Sequence, residues 1–187
     1  MRRIWEISRR RFLKLAGIMG LAPAGQVVRA AEAAPPLVPI AAPGFQSLDA
    51  HQVETLKAVA EQIIPADQDP GAKQAGSVRY IDRVLAAEQR DRRPMYAAGL
   101  QGIDQTSRLL YSRDFVKLSF DEQTAVLEAL EKGEAPGEIW TTASSRQFFE
   151  LVWNHVLEGF YGPPEHGGNK DYVSWKMVGF PEHSGTM

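Results

Sequence analysis

Ser144-Ser145-Arg146-Gln147-Phe148-Phe149-Glu150-Leu151-Val152-Trp153-Asn154-His155-Val156-Leu157-Glu158-Gly159-Phe160 is the stretch that decides the fold. Ser144 with Gln147 three residues on is a helix-start signature, a side-chain cap and a side chain able to reach back. Phe148, Phe149, Val152, Trp153 and Val156 then recur at three- and four-residue steps, so the stretch reads as a buried helix from Arg146 to about Phe160. Four segments of the same kind precede it. Asp49 with Gln52 opens one, Leu48 is placed to staple against Val53, and Val53, Leu56, Ala60 and Ile63 form a stripe that Pro65 stops. A second helix is predicted from Ser77 to about Gln89, with Val78, Ile81 and Leu85 inward and Tyr80 and Asp82 on other faces. Pro94 suits the first turn of a third that runs to about Tyr111. Ser119 with Glu122 caps a fourth, ended by Gly133. No stretch alternates as a strand does. The expected fold is a single all-α domain of about five helices over residues 48–160.

Both flanks of that domain break the helical pattern. Pro35, Pro36, Pro39 and Pro43 forbid a regular helix over residues 34–47 and favour an extended linker or arm. Within the domain, Pro65-Ala66-Asp67-Gln68-Asp69-Pro70-Gly71 reads as an ordered turn-rich loop, because Pro and Gly restrict the backbone and Asp side chains bond nearby amides. Two aspartates two apart also match half of a calcium loop, but the third ligand, the glycine and the closing Glu of an EF-hand do not follow in register. After Phe160 glycines and prolines exclude a long helix, yet Tyr161, Tyr172, Trp175, Met177 and Phe180 are too apolar for a disordered tail. Residues 161–187 are therefore read as an arm that packs either on its own helices or on a partner; loop aromatics favour the partner.

At the other end, Ser8-Arg9-Arg10-Arg11-Phe12-Leu13-Lys14 matches a twin-arginine export signal. An apolar stretch from Leu15 to Ala24 follows, and Ala31-Glu32-Ala33 offers a cleavage site. Lys14, Pro23 and Gln26 keep the apolar run well below the roughly 18 residues a membrane span requires. Residues 1–33 are thus expected to be a signal, with Arg9, Arg10, Phe12 and Leu13 as its recognition residues, and the protein is expected in the periplasm.

Those 33 residues hold seven of the 21 Lys and Arg and two of the 23 Asp and Glu, leaving 14 basic and 21 acidic residues, a net charge of −7. So acidic a chain is a poor match to nucleic-acid phosphates. With no cysteine, thiolate metal sites, iron–sulfur ligation and thiol catalysis are excluded in this chain. The histidines are His51, His155, His166 and His183. His155 and Glu158 share a helix face at i, i+3, a spacing that suits a metal or a base with its orienting group, but no second helical motif of that kind supplies further ligands. No serine elbow, dinucleotide fingerprint or haem-attachment motif is present. No catalytic, cofactor or metal residue is expected.

Several motifs recur in a known order. Ile63-Ile64-Pro65-Ala66-Asp67 with Asp69-Pro70-Gly71-Ala72, then Gly76 and Tyr80-Ile81-Asp82, then His155-x-x-Glu158-Gly159-Phe160-Tyr161-Gly162, and finally Tyr172-x-x-Trp175-Lys176-Met177-x-Gly179-Phe180-Pro181 together resemble the gluconate 2-dehydrogenase subunit 3 family. The resemblance spans roughly residues 48–181. It departs from the family pattern at Pro163-Pro164-Glu165-His166, which leaves the local loop shape open. What it implies is a small subunit without cofactor, beside a large GMC-type flavoprotein that carries FAD and the substrate site and, in some complexes, a multihaem cytochrome c. It implies that this chain's signal, read by the Tat translocase, carries the flavoprotein out and that the chain helps it mature, the complex then sitting at the inner membrane. It also implies interface roles for Pro65, Asp67, Asp69, Gly71, Tyr80, Asp82, His155, Glu158, Phe160, Tyr161, Trp175, Met177 and Phe180. A free-standing periplasmic helical binding protein or chaperone, and a small metal-dependent enzyme centred on His155 and Glu158, are the competing readings.

Overall fold

The computed structural model describes residues 41–180. The signal over residues 1–33, residues 34–40 of the proline-rich stretch, and residues 181–187 lie outside the described residues. Within them are eight α-helices and no strand: α1 (Ala50–Ile63), α2 (Ala72–Ala75), α3 (Ser77–Ala86), α4 (Arg93–Tyr111), α5 (Phe120–Lys132), α6 (Ile139–Thr142), α7 (Ser145–Tyr161) and α8 (Val173–Val178). The all-α expectation holds, and the five long helices are the five predicted. The count of about five is corrected to eight by α2, α6 and α8, each four to six residues long and too short to show a periodic stripe.

Helix starts follow the capping chemistry. Asp49 accepts from the Gln52 amide (2.8 Å) while Gln52 Oε1 receives the Asp49 amide (3.0 Å). Ser119 and Glu122 repeat this at α5, and Ser144 accepts from the Gln147 amide at α7 (3.2 Å). The end of α3 departs from expectation, stopping at Ala86 rather than near Gln89. Arg93 donates to the Leu85 carbonyl (2.7 Å) and Arg90 to the Ala86 carbonyl (2.6 Å), so guanidinium groups take acceptors that another helical turn would have filled.

α7 lies at the centre, touching α1, α2, α3, α4, α5 and α8. Its Phe148, Phe149, Val152, Trp153, Val156 and Phe160 are all buried. Burying an aromatic or branched side chain of this size contributes about 1.5–3 kcal/mol. The contact of α7 with α3 is close because residue 159 is glycine: a Cβ there would lie 2.9 Å from Tyr80 Cβ and 3.0 Å from Ser77 Cα.

The described part of the proline-rich stretch is a turn rather than the extended arm expected. The Phe45 amide donates to the Ala42 carbonyl (2.9 Å) and the Ala42 amide to the Leu48 carbonyl (2.8 Å). Asp82, expected on an outer face of α3, is instead buried at 3 % exposure, because this turn folds over it. Its carboxylate accepts from the amides of Gln46 (2.8 Å), Ser47 (2.8 Å) and Leu48 (3.1 Å) and from the Ser47 hydroxyl (2.9 Å). These bonds give the buried carboxylate oxygens the partners that water would otherwise supply.

Candidate functional site

Four residues on α3, α4 and α7 form a polar seam that is buried at Tyr96 and His155 and reaches the surface at Tyr80 and Glu158. Tyr96 and the His155 Nδ1 lie 2.8 Å apart, their rings nearly parallel. Burial pushes the His155 imidazole below its usual range, Glu158 opposing and Arg92 adding to the shift. A neutral ring accepts from the Tyr96 hydroxyl at Nδ1. One turn on, the Tyr80 hydroxyl donates to Glu158 (2.8 Å), and burial together with that carboxylate raises the phenol well above its ordinary value. Both phenols therefore act as hydrogen-bond donors rather than acids or bases at neutral pH. Among the described residues no three His, Asp or Glu side chains converge as metal ligands.

The loop after α1 is closed on itself. Glu61 takes the Ala66 amide (2.9 Å), Asp67 takes the Asp69 amide (2.9 Å), and the Asp69 carbonyl takes the Asp67 amide (3.1 Å). Gly71 completes it: a Cβ there would come within 2.7 Å of the Ile64 carbonyl oxygen, so any larger residue would open the loop. Asp67 is exposed, Pro65 and Asp69 are half-buried, and Gly71 is buried.

Residues 161–180 fold back on the body. Asn169, fully buried with a left-handed backbone (φ 42°), is the pin. Its amide donates to the Gly159 carbonyl (2.8 Å), its side-chain NH2 to the Gly162 carbonyl (3.1 Å), and its side-chain oxygen accepts from the Ser174 amide (3.0 Å). The Trp175 indole N–H adds a bond to the Tyr161 carbonyl (2.8 Å). α2 touches α7, α8 and the Lys170–Tyr172 turn, so the closed loop and the arm border one another.

On the outside of the arm, Trp175 packs between Tyr172 (ring centroids 5.5 Å apart) and Phe180 (5.0 Å). Val178 and Phe180 are 58 % and 49 % exposed, and Trp175 and Met177 are half-buried, which makes an apolar surface bounded by the exposed Lys176. Of the other expected interface residues, Tyr80 and Tyr161 are half-buried and Glu158 is exposed, whereas Asp82, His155 and Phe160 are buried and make their contacts within the domain. The exposed members thus gather at the loop, at the α3–α7 seam and on the arm.

Two positioning residues escaped the sequence reading. Asn169 lies in a glycine-rich run, where an amide in a left-handed position gives no periodic signal. Asp104 is 2 % exposed on α4, bonded to His51 of α1 (2.5 Å) and to the Phe115 amide (3.0 Å); its partners are 53 and 11 residues away, so no local spacing marks it.

A protein-family model described as gluconate 2-dehydrogenase subunit 3 matches residues 50–181, from the first residue of α1 past the end of α8. No curated protein and no solved structure matches the chain.

Proposed function

The chain belongs to the gluconate 2-dehydrogenase subunit 3 family, and on that premise we propose that it is the non-catalytic small subunit of a membrane-associated, FAD-dependent sugar or polyol dehydrogenase. Membership implies a catalytic partner subunit. In the proposed complex the partner is a GMC-type flavoprotein that holds FAD and the substrate, with a multihaem cytochrome c as a possible third subunit. This chain supplies the Tat signal and a folded surface on which the flavoprotein matures before export to the periplasm.

One observation carries the reading: the family match extends to the end of the described arm, whose exposed Val178 and Phe180 and half-buried Trp175 and Met177 form an apolar surface. Aromatic and Met side chains of this kind are enriched in protein interfaces. Export of a flavoprotein on another chain's signal has a physical rationale too. FAD is bound by folded protein in the cytoplasm, and the twin-arginine route moves folded cargo, so one signal serves two chains. Replacing Arg9 and Arg10 together by Lys is expected to leave both this chain and the flavoprotein in the cytoplasm. Fractionation that finds the flavoprotein still exported would refute the escort role.

A further inference from the structure

The described arginines divide into two groups. Arg108, Arg113 and Arg146 each pair with a carboxylate, on Asp114 (2.7 Å), Glu122 (2.7 Å) and Glu150 (3.3 Å). Arg79, Arg83, Arg90, Arg92 and Arg93 are all exposed, and none forms an ion pair among the described residues, although the chain beyond residue 33 has 21 acidic side chains to 14 basic ones. They fall within the fifteen residues 79–93, on α3, the turn after it and the first residue of α4.

The groups that four of these touch are uncharged. Arg79 lies over the Phe45 ring (5.9 Å), Arg83 donates to the Glu165 carbonyl (3.2 Å), and Arg90 and Arg93 donate to carbonyls at the end of α3. A guanidinium has five N–H donors and keeps its charge at all accessible pH, so each retains donors and a full positive charge toward solvent. Two neighbouring acids are engaged elsewhere, Asp82 being buried and committed to residues 46–48 and Glu158 accepting from Tyr80, while Glu88 and Glu165 share a cavity lining with Arg83 without an ion pair to it among the described residues. Beside Arg83 is a cavity of about 350 Å3, whose lining includes Tyr80, Arg83, Glu88, Glu165 and His166.

We infer that the α3 arginine stripe is a docking surface for an acidic face of the catalytic partner subunit, with carboxylates pairing at Arg79 and Arg83. The inference rests on the small-subunit reading. One feature selects a protein rather than an anionic bilayer: the surface at Arg83 is concave, which suits inserted side chains better than a plane of headgroups. The planar fork of arginine matches a carboxylate in two-point geometry. The stripe also adjoins Tyr80 and Glu158, the exposed end of the α3–α7 seam.

The test uses the complex purified by co-expression, with the tagged full chain retaining the flavin-bearing subunit at low and at high salt. Arg79→Ala with Arg83→Ala is expected to weaken retention about tenfold or more at low salt, and the difference should close at high salt, where charge is screened. Arg79→Lys with Arg83→Lys keeps the charge and is expected to restore most of the binding, which rules out a folding defect as the cause. The control, Arg113→Ala with Arg146→Ala, removes two already paired arginines and should leave retention unchanged. Equal retention by the stripe variant and wild type overturns the inference while leaving the subunit reading standing. So does binding of the wild-type chain to phosphatidylglycerol vesicles that depends on the stripe, with partner retention unaffected. Failure of the wild-type chain to hold a flavin-bearing subunit at any salt defeats the subunit reading itself.

Discussion

Both ends of the helical body are fastened by one buried polar side chain, and the two fastenings leave different surfaces behind. Asp82 grips residues 46–48 with a carboxyl group and four hydrogen bonds, and the turn it holds buries Ala42 and Leu48. Asn169 grips the carboxy-terminal arm with a neutral amide, and the arm it holds keeps Val178 and Phe180 in solvent. The first fastening completes a core. The second presents apolar side chains that the described residues do not cover, a surface suited to a partner subunit.

The comparison can be broken at its stronger end first. Asp82→Ala leaves three backbone amides without their acceptor and is expected to cost about 3–5 kcal/mol in urea denaturation, with Asp82→Asn intermediate. A loss under about 1 kcal/mol would mean that the turn over α3 contributes little. Asn169→Ala should cost about 1–3 kcal/mol and act locally. Hydrogen exchange should then speed up at residues 170–180 while α1, α5 and α7 remain protected; a uniform loss of protection would show that the arm is part of the core after all.

Between the two ends lies the α3–α7 seam, and the behaviour of its buried end should follow acid. The folded-state pKa of His155 is depressed, so the unfolded chain takes up a proton first as pH falls. The stability linked to His155 is therefore fully present above the ordinary histidine value of about 6.5 and is lost as pH drops from there toward the depressed folded value. His155→Gln should flatten that part of the stability–pH curve. Tyr96→Phe, which deletes the donor to His155, should cost about 1 kcal/mol at neutral pH.

The smallest stability effect is expected on the arm's exposed surface. Val178→Ser with Phe180→Ala should change the stability of the isolated chain by no more than about 0.5 kcal/mol, as exposed substitutions generally do. The same pair should lower recovery of the partner subunit. Unchanged recovery would show that the apolar side chains of the arm face nothing.

Local chemistry made much of this legible in advance. Capping residues Asp49, Ser119 and Ser144, the stop at Pro65 and the apolar spacing on α7 are properties of neighbouring residues, and the five long helices followed from them. What escaped depends on distant ones. α2, α6 and α8 are single turns held by their surroundings. Asp82 reads as an outward polar residue until the turn some 35 positions earlier folds over it. Asn169 acquires its role only because Gly159 and Gly168 let two backbone segments approach more closely than any side chain would permit. In the candidate interface, Trp175 and Phe180 were identifiable as aromatics out of place in a glycine-rich tail. The unpaired state of Arg79 and Arg83 became visible only once the ion pairs of the other arginines were known.

The most direct measurement of the central claim is purification of the tagged full chain from cells that also express the proposed flavoprotein partner, followed by gel filtration with absorbance read at the flavin band. The account predicts one peak larger than the chain alone, carrying flavin and this chain together. A chain that elutes as a stable monomer, with all the flavin elsewhere, would contradict it.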